Sequence, residues 1–342
     1  GLHPFHIPLA INFSNSNSEQ KCILCSTCDH YICKLEAKND VAVKILPDAI
    51  KNGATLLPNT RAIKINITKN RVVSIDLIDQ ISREISTIKA KNIIVSCGAL
   101  STPHLLIASG IDKIDKSGSL IGKYLMRHIN SIVSGAFPFK TNPDKMFQKQ
   151  IAIPDFYYGD KKKKNILLGN WGIIQDVSSF GKGLIKLNAP FGLKNAAAFL
   201  SEYSINLLCI AEDIPQLSNR VYADWNQKDI FGMPSLKVYH RYDQRDNAVI
   251  NALSKEAKKI LKKAGAKLFY TIPIETFSHA FGSCRFGKDR SASVLDEDCR
   301  VWGLKNLYVL DASFMPSGGS VNPSLTIAAN SLRVSEMLAS IQ

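Results

Sequence analysis

HAFGSCRFGKD (residues 279–289), NLYVLDAS (306–313) and SVNPSLTIAANSLRVSEML (320–338) follow one another in that order, and their reading decides the fold. The first sets one imidazole, His279, just ahead of two small residues, Gly282 and Ser283. The second is an apolar run with β-branched and aromatic members, so it reads as a short buried strand that delivers Asp311 at its C-terminal end. A carboxylate there sits at the mouth of a sheet. The third opens with Asn322 at an N-cap position and Pro323 at the first helical position, and continues with apolar residues at Leu325, Ala328, Ala329, Leu332 and Leu338. This predicts a helix whose positive end, together with Asn322, is aimed at the neighbourhood of His279.

Working outward, KAKNIIVSCGALSTPHLLIASGI (89–111) reads as strand, glycine turn and helix, the opening of a βα crossover. Gly98 lets backbone approach a ligand there, and Ser101-Thr102-Pro103 starts the helix. A tight strand-to-helix turn with no ligand reads equally well at this point. Upstream, a helical pattern from Ala37 to Ile50 ends near Gly53, and ATLLPNTRAIKINI (54–67) with KNRVVSIDLI (69–78) forms a hairpin of half-buried strands. Between Ile129 and about Phe277 the texture changes. Strand-like runs SIVSGAFPF, NILLGNWGIIQDV and SINLLCIAED are separated by lysine-rich loops, with one amphipathic helix near Ser254 to Gly265. Phe156, Tyr157 and Trp171 read as pocket lining or as core with equal ease, and none is assigned a role.

The C-terminal residues resemble those of the glucose, methanol and choline (GMC) oxidoreductases, flavoenzymes carrying FAD. That family reads His-x-x-Gly-Ser/Thr, then a strand ending in Asp-x-Ser, then His or Asn followed by Pro and a helix containing Thr. Here His279, Gly282 and Ser283 are followed by Asp311 and Ser313, then by Asn322, Pro323 and Thr326. GALSTPHLLIASGI (98–111) resembles the family's second signature. GSLIGKYLMRHI (118–129) resembles its Val-Gly-Arg-Asn-Leu-x-Asp-His segment, with Arg127 where the family usually has Asp. EDIPQLSNRV and KDIFGMPSL, within 212–236, resemble the link into the C-terminal module.

The resemblance implies an α/β chain, α+β overall: an incomplete Rossmann-like FAD-binding domain at 1–128, a substrate domain with an antiparallel sheet and flanking helices at 129–278, and a return to the FAD-binding domain at 279–342. It implies oxidation of an alcohol or sugar CH–OH to a carbonyl by hydride transfer to the flavin. An imidazole with an ordinary pKa near ~6.5 is largely neutral at working pH, which makes His279 the expected base. Asn322 is expected to donate its amide N–H to the developing alkoxide. The expected cofactor contacts are Gly98, Ala99, Ser101, Asp311, Ala312, Asn322, Pro323 and Thr326, with Asp311 and Thr326 near the ribityl and phosphate groups.

Composition is that of an ordinary globular protein, 45% hydrophobic and 21% charged over 342 residues, enough for two cores. The net charge of +14 admits a nucleic-acid or anionic-membrane surface. Much of it is lysine at positions expected to be solvated, such as residues 161–164 and the helix ending at Gly265, and no nucleic-acid-binding signature accompanies it, so no nucleic-acid partner is expected. The longest uncharged run, 92–111, is broken by Pro103, His104 and two glycines, and no membrane span is expected. KCILCSTCDHYIC places Cys22, Cys25, Cys28 and Cys33 close together. Four thiols at this spacing suit an iron–sulfur or zinc centre, a loop covering the flavin, or a redox-labile patch; no metal is assigned. Eight cysteines in all suggest a reducing, cytoplasmic setting.

The Gly-x-Gly-x-x-Gly turn that cradles a dinucleotide pyrophosphate is not in this sequence: Gly181-Lys182-Gly183 is followed by Lys186 where the third glycine belongs. The expectation is a shortened chain that does not hold FAD tightly alone and draws on a partner supplying that unit. Three functions stay open: an alcohol dehydrogenase or oxidase with FAD, an inactive fragment or non-catalytic subunit, and an electron-transfer protein using the cysteines.

Overall fold

The computed structural model describes residues 1–14, 20–26, 28–29, 31–159, 170–277 and 279–340. The chain forms two compact units, each assembled from three separate stretches. One is built from Gly1–Leu56, Ile129–Ala211 and Gln244–Glu275, the other from Leu57–His128, Glu212–Asp243 and Thr276–Gln342. Breaks expected after 128 and 278 fall close to unit boundaries. Residues 1–56 group with the sheet of the middle region and 212–243 with the C-terminal region, so the units interleave along the chain.

The first unit is organised on a six-stranded antiparallel sheet in the order Phe5–His6, Ile151–Ile153, Gly172–Val177, Ser204–Ala211, Ile129–Ala136, Leu268–Ile274. Its central strands are buried on both faces, which is why SINLLCIA reads as a largely apolar run rather than an alternating one; INSIVSGA keeps Asn130 and Ser131 buried as well. One face is covered by the amphipathic helix Gln244–Lys263, which buries Val249, Ile250, Leu253, Ala257 and Leu261 and starts ten residues before the Ser254 read from the pattern. The expected pattern from Ala37 to Ile50 becomes two short helices, Val41–Lys44 and Leu46–Lys51, because Pro47 has no N–H to continue the first. The lysines at 161–164 lie outside the described residues.

The second unit holds a three-stranded antiparallel sheet, Thr60–Thr68, Arg71–Asp79 and Ile85–Ile88, and a parallel pair in which Ile93, Ile94 and Val95 register with Leu307, Tyr308 and Val309. Asn306, fully buried, joins them: its Nδ2 donates to Val72 O and Lys91 O, and its Oδ1 accepts from Val72 N–H. The core of this unit gathers Ile65, Val72, Leu105, Leu106, Phe281, Leu307 and Val309. Since the pair is parallel, both strands end on the same side, and Gly98 and Asp311 emerge together there. Among the described residues no helix is long and apolar enough to cross a membrane.

The last helix, Ser324–Ser340, differs from expectation in two ways. It begins at Ser324, and Pro323 is the cap whose carbonyl accepts from Ile327 N–H at 3.1 Å, leaving Asn322 one residue further out. Of the expected apolar positions, Leu325, Ala328, Ala329 and Leu332 are exposed and Leu338 is buried, and the buried face runs through Val334 and Leu338 with Ile327 and Met337 partly covered. The helix carries two apolar stripes, and the core takes the second.

Candidate functional site

The short strand Ala280–Phe281 pairs antiparallel with Met126–Arg127, Ala280 opposite Arg127 and Phe281 opposite Met126. Extending that register by one residue sets His279 opposite His128. The two imidazoles stand edge-on, ring centroids 5.2 Å apart, with Nδ1 to Nδ1 at 3.0 Å. His128 is 1% exposed, and its Nε2 lies 2.9 Å from the carbonyl oxygen of Gly318. Burial pulls the His128 pKa down to about 4, with the neighbouring His279 adding to the same direction. His279 is half-buried and held in the left-handed region, φ 61°.

Gly282 explains why the motif needs a glycine. Its φ is 90°, and a Cβ there would lie 2.4 Å from Met126 Cε and 2.8 Å from Tyr124 O. Ser283 donates its hydroxyl to Ala99 O at 2.6 Å, tying the His279 loop to the first turn of the Gly98–Ala108 helix. Backbone bonds from Gly282, Cys284 and Phe286 N–H to the carbonyls of Ala312, Ser313 and Phe314 lay the loop beside the residues following Asp311.

Asp311 is buried at the end of its strand. Its Oδ2 accepts from Gly98 N–H at 2.9 Å and from the Thr102 hydroxyl, and its Oδ1 accepts from Ser313 N–H at 2.8 Å. Thr102 Oγ1 in turn accepts from Cys97 N–H. Both carboxylate oxygens are thus engaged in holding the start of the Gly98–Ala108 helix, a bracing role that the strand-end position alone did not reveal. Gly98, φ 83°, has open space where a Cβ would stand. Ser101, Asn322 and Thr326 are exposed, Ala99 and Pro323 buried, and Ala312 half-buried.

The structure therefore groups Gly98, Ala99, Thr102, Ser283, Asp311 and Ser313 by direct hydrogen bonds, and His279 with His128 and Gly318. Gly318 begins the loop that leads through Gly319, whose N–H points to Glu212 Oε1 at 3.4 Å, to Asn322. Sequence reasoning missed His128, Thr102 and Gly318 as members. His128 lay within the 118–129 segment already singled out, but with its partner 151 positions away it carried no local signal.

Beside His128, Arg127 donates its backbone N–H to Asp213 Oδ2, which also contacts His240 Nε2 at 3.1 Å; both acidic and imidazole side chains are almost wholly buried. Burial pushes the Asp213 pKa up although His240 and the Arg127 N–H oppose it. The Arg127 guanidinium lies over the rings of Tyr242 and Phe277.

In the other unit, Cys22, Cys25, Cys28 and Cys33 are half-buried, and burial raises the Cys28 pKa despite Lys38 nearby. Lys38 Nζ donates to the carbonyls of Cys28 and Tyr31. Among the described residues no group of three or more His, Cys, Asp or Glu side chains is placed to hold a metal ion; Thr27 and His30 lie outside them.

Family models described as GMC oxidoreductase match residues 7–130 and 215–331. The chain is 28% identical to paromamine 6'-oxidase of Streptomyces fradiae, over 99% of this chain and 62% of that protein. It is also 28% identical to 2-methyl-1,2-propanediol dehydrogenase of Mycolicibacterium austroafricanum, over 86% of this chain and 56% of the relative. Among solved structures, pyridoxine 4-oxidase from Mesorbium loti superposes with a TM-score of 0.61 at 18% identity, covering 88% of this chain and 60% of that one, a likeness of fold. The chain thus spans about three-fifths of the length of the curated relatives it matches.

Proposed function

The chain belongs to the GMC oxidoreductase family, and from that premise we propose that it carries the proton-accepting side of an FAD-dependent oxidation of a small-molecule alcohol or sugar hydroxyl to a carbonyl. The observation that carries the reading is the half-buried His279 imidazole held against a buried, neutral His128. A base so placed takes the hydroxyl proton while the ring is prevented from turning. Asn322, at the mouth of the last helix, is the donor for the oxygen as its negative charge develops.

FAD supplies the hydride acceptor when bound. Residues here fit it: the space beside Gly98 is open, and although Asp311 takes the Gly98 N–H, the N-cap residue Cys97 makes no side-chain cap, so the N–H groups that follow Gly98 in the first turn are the ones to meet a polar group of the cofactor. Gly98, Ala99 and Ser101 would hold it there, with Ala312, Asn322, Pro323 and Thr326 on the other side. Asp311 contributes by bracing Gly98, its oxygens being engaged within the protein. The pyrophosphate-cradling glycine turn is not in this sequence, and the reading includes a partner or further segment that supplies it. The relatives named for paromamine and for a propanediol support a small-molecule hydroxyl compound as substrate.

The test is His279→Ala in the protein completed by the segment that supplies the glycine turn and loaded with flavin. Turnover should fall by about 10²-fold or more with flavin absorbance retained. Unaltered turnover would remove His279 from the role of base.

A further inference from the structure

We propose that His128 is a positioning residue that fixes the tautomer of His279, so that the proton sits on His279 Nδ1 and the lone pair on Nε2 is the one presented to the substrate hydroxyl. The inference deepens the reading of His279 as base and rests on it. It starts from a backbone carbonyl, which can only accept. Gly318 O lies 2.9 Å from His128 Nε2, so that nitrogen carries the proton. A neutral imidazole has a single N–H, and burial keeps His128 neutral down to about pH 4. Its Nδ1 is therefore an acceptor.

The atom 3.0 Å from that acceptor is His279 Nδ1. Two lone pairs would repel at this distance, so His279 Nδ1 donates, and the lone pair of the second ring falls on Nε2. The relay runs one way, from His279 through His128 to the Gly318 carbonyl. When Nε2 takes a proton, breaking the substrate O–H bond and forming N–H, the imidazolium keeps its Nδ1–H donated to the same acceptor. No further proton has to move.

Three features set this geometry. Strand register places the histidines opposite each other. Phe281, fully buried, packs against the His128 ring with centroids 5.0 Å apart. Gly318 admits the approach of its carbonyl, since a Cβ there would lie 2.3 Å from Phe281 Cζ and 3.1 Å from His128 Nε2.

Side-chain nitrogen–proton correlation spectra of the full chain labelled with nitrogen-15 report the tautomer without any need for turnover, with His279 assigned through His279→Gln. The expected wild-type pattern at neutral pH is Nδ1–H for His279 and Nε2–H for His128. His128→Phe keeps the ring and removes the acceptor, and should move His279 toward Nε2–H. His128→Asn, whose amide oxygen can accept from Nδ1–H, should keep the native form. In the flavin-loaded protein the Phe variant should lower kcat by about tenfold or more with little change in KM, and Asn should restore much of it. An Nε2–H form of His279 in the wild type overturns the proposal, even if His128→Phe does not fold. So does an unchanged Nδ1–H form in the folded Phe variant. Loss of the base reading shows differently, as unaltered turnover in His279→Ala alongside the expected tautomers.

Discussion

At the scale of single residues, the site depends on backbone that ordinary side chains resist. His279 holds φ 61° and Gly282 φ 90°, so the turn from one to the other is strained for anything but a tolerant residue followed by glycine. Gly282→Ala adds a methyl against Met126 and Tyr124 and should destabilise the second unit by about 2 kcal/mol or more, read as a fall in urea midpoint. His128 gives a pH signature. Its folded pKa of about 4 lies below the ordinary imidazole value near 6.5, so the folded state binds fewer protons. Its contribution to stability is complete above about pH 6.5 and is lost progressively as pH falls toward 4, on the order of 3 kcal/mol in all. Urea titrations at pH 7.5 and 4.5 should show that loss, and His128→Phe should flatten it; equal slopes in the two proteins would contradict the neutral, buried imidazole. The histidine of the 279–289 motif and its glycine were legible in sequence because each residue type has a narrow use. His128 was not, since only a cross-strand register brings it to His279.

Among the elements, strand Leu307–Val309 was legible because an apolar run follows from local chemistry; helix Gly98–Ala108 was legible as a helix, but it begins three residues before the expected Ser101 start and carries Pro103 inside it. The brace between them was not, because Asp311 and Gly98 are 213 positions apart. Asp311→Ala should cost about 3 kcal/mol or more, as it strips two N–H groups and a hydroxyl of a charged acceptor, and should expose the Gly98 amide to hydrogen exchange. A variant with wild-type stability and protection at Gly98 would reduce the carboxylate to a bystander. The last helix shows where periodicity stops being informative. Leu325, Ala328, Ala329 and Leu332 satisfy helical spacing as well as Val334 and Leu338 do, and which stripe is buried is decided by the partner surface, not by the helix.

For the whole molecule, that choice leaves Leu325 76% and Leu332 64% exposed in a helix otherwise anchored at its far end. Such a stripe favours association. Replacing both leucines by lysine should raise the solubility limit with little change in melting temperature; a large drop in melting temperature would show that the stripe is covered in solution. Titration of the 342-residue chain with FAD should give binding weaker than micromolar, since the glycine turn is not in the sequence. Quenched flavin fluorescence at micromolar or lower concentration would show that Gly98 and the last helix suffice. The interleaving of the units sets the timetable of biogenesis as well. Synthesis leaves one unit and enters the other repeatedly, and Asn306, which stitches Val72 into place, leaves the ribosome 234 residues after it. The hairpin and the strand Ile93–Val95 therefore wait, with apolar faces uncovered, while those 234 residues are made. Closure of that unit therefore has to follow the arrival of Asn306, and in that interval the nascent chain is expected to be a client for holdase chaperones.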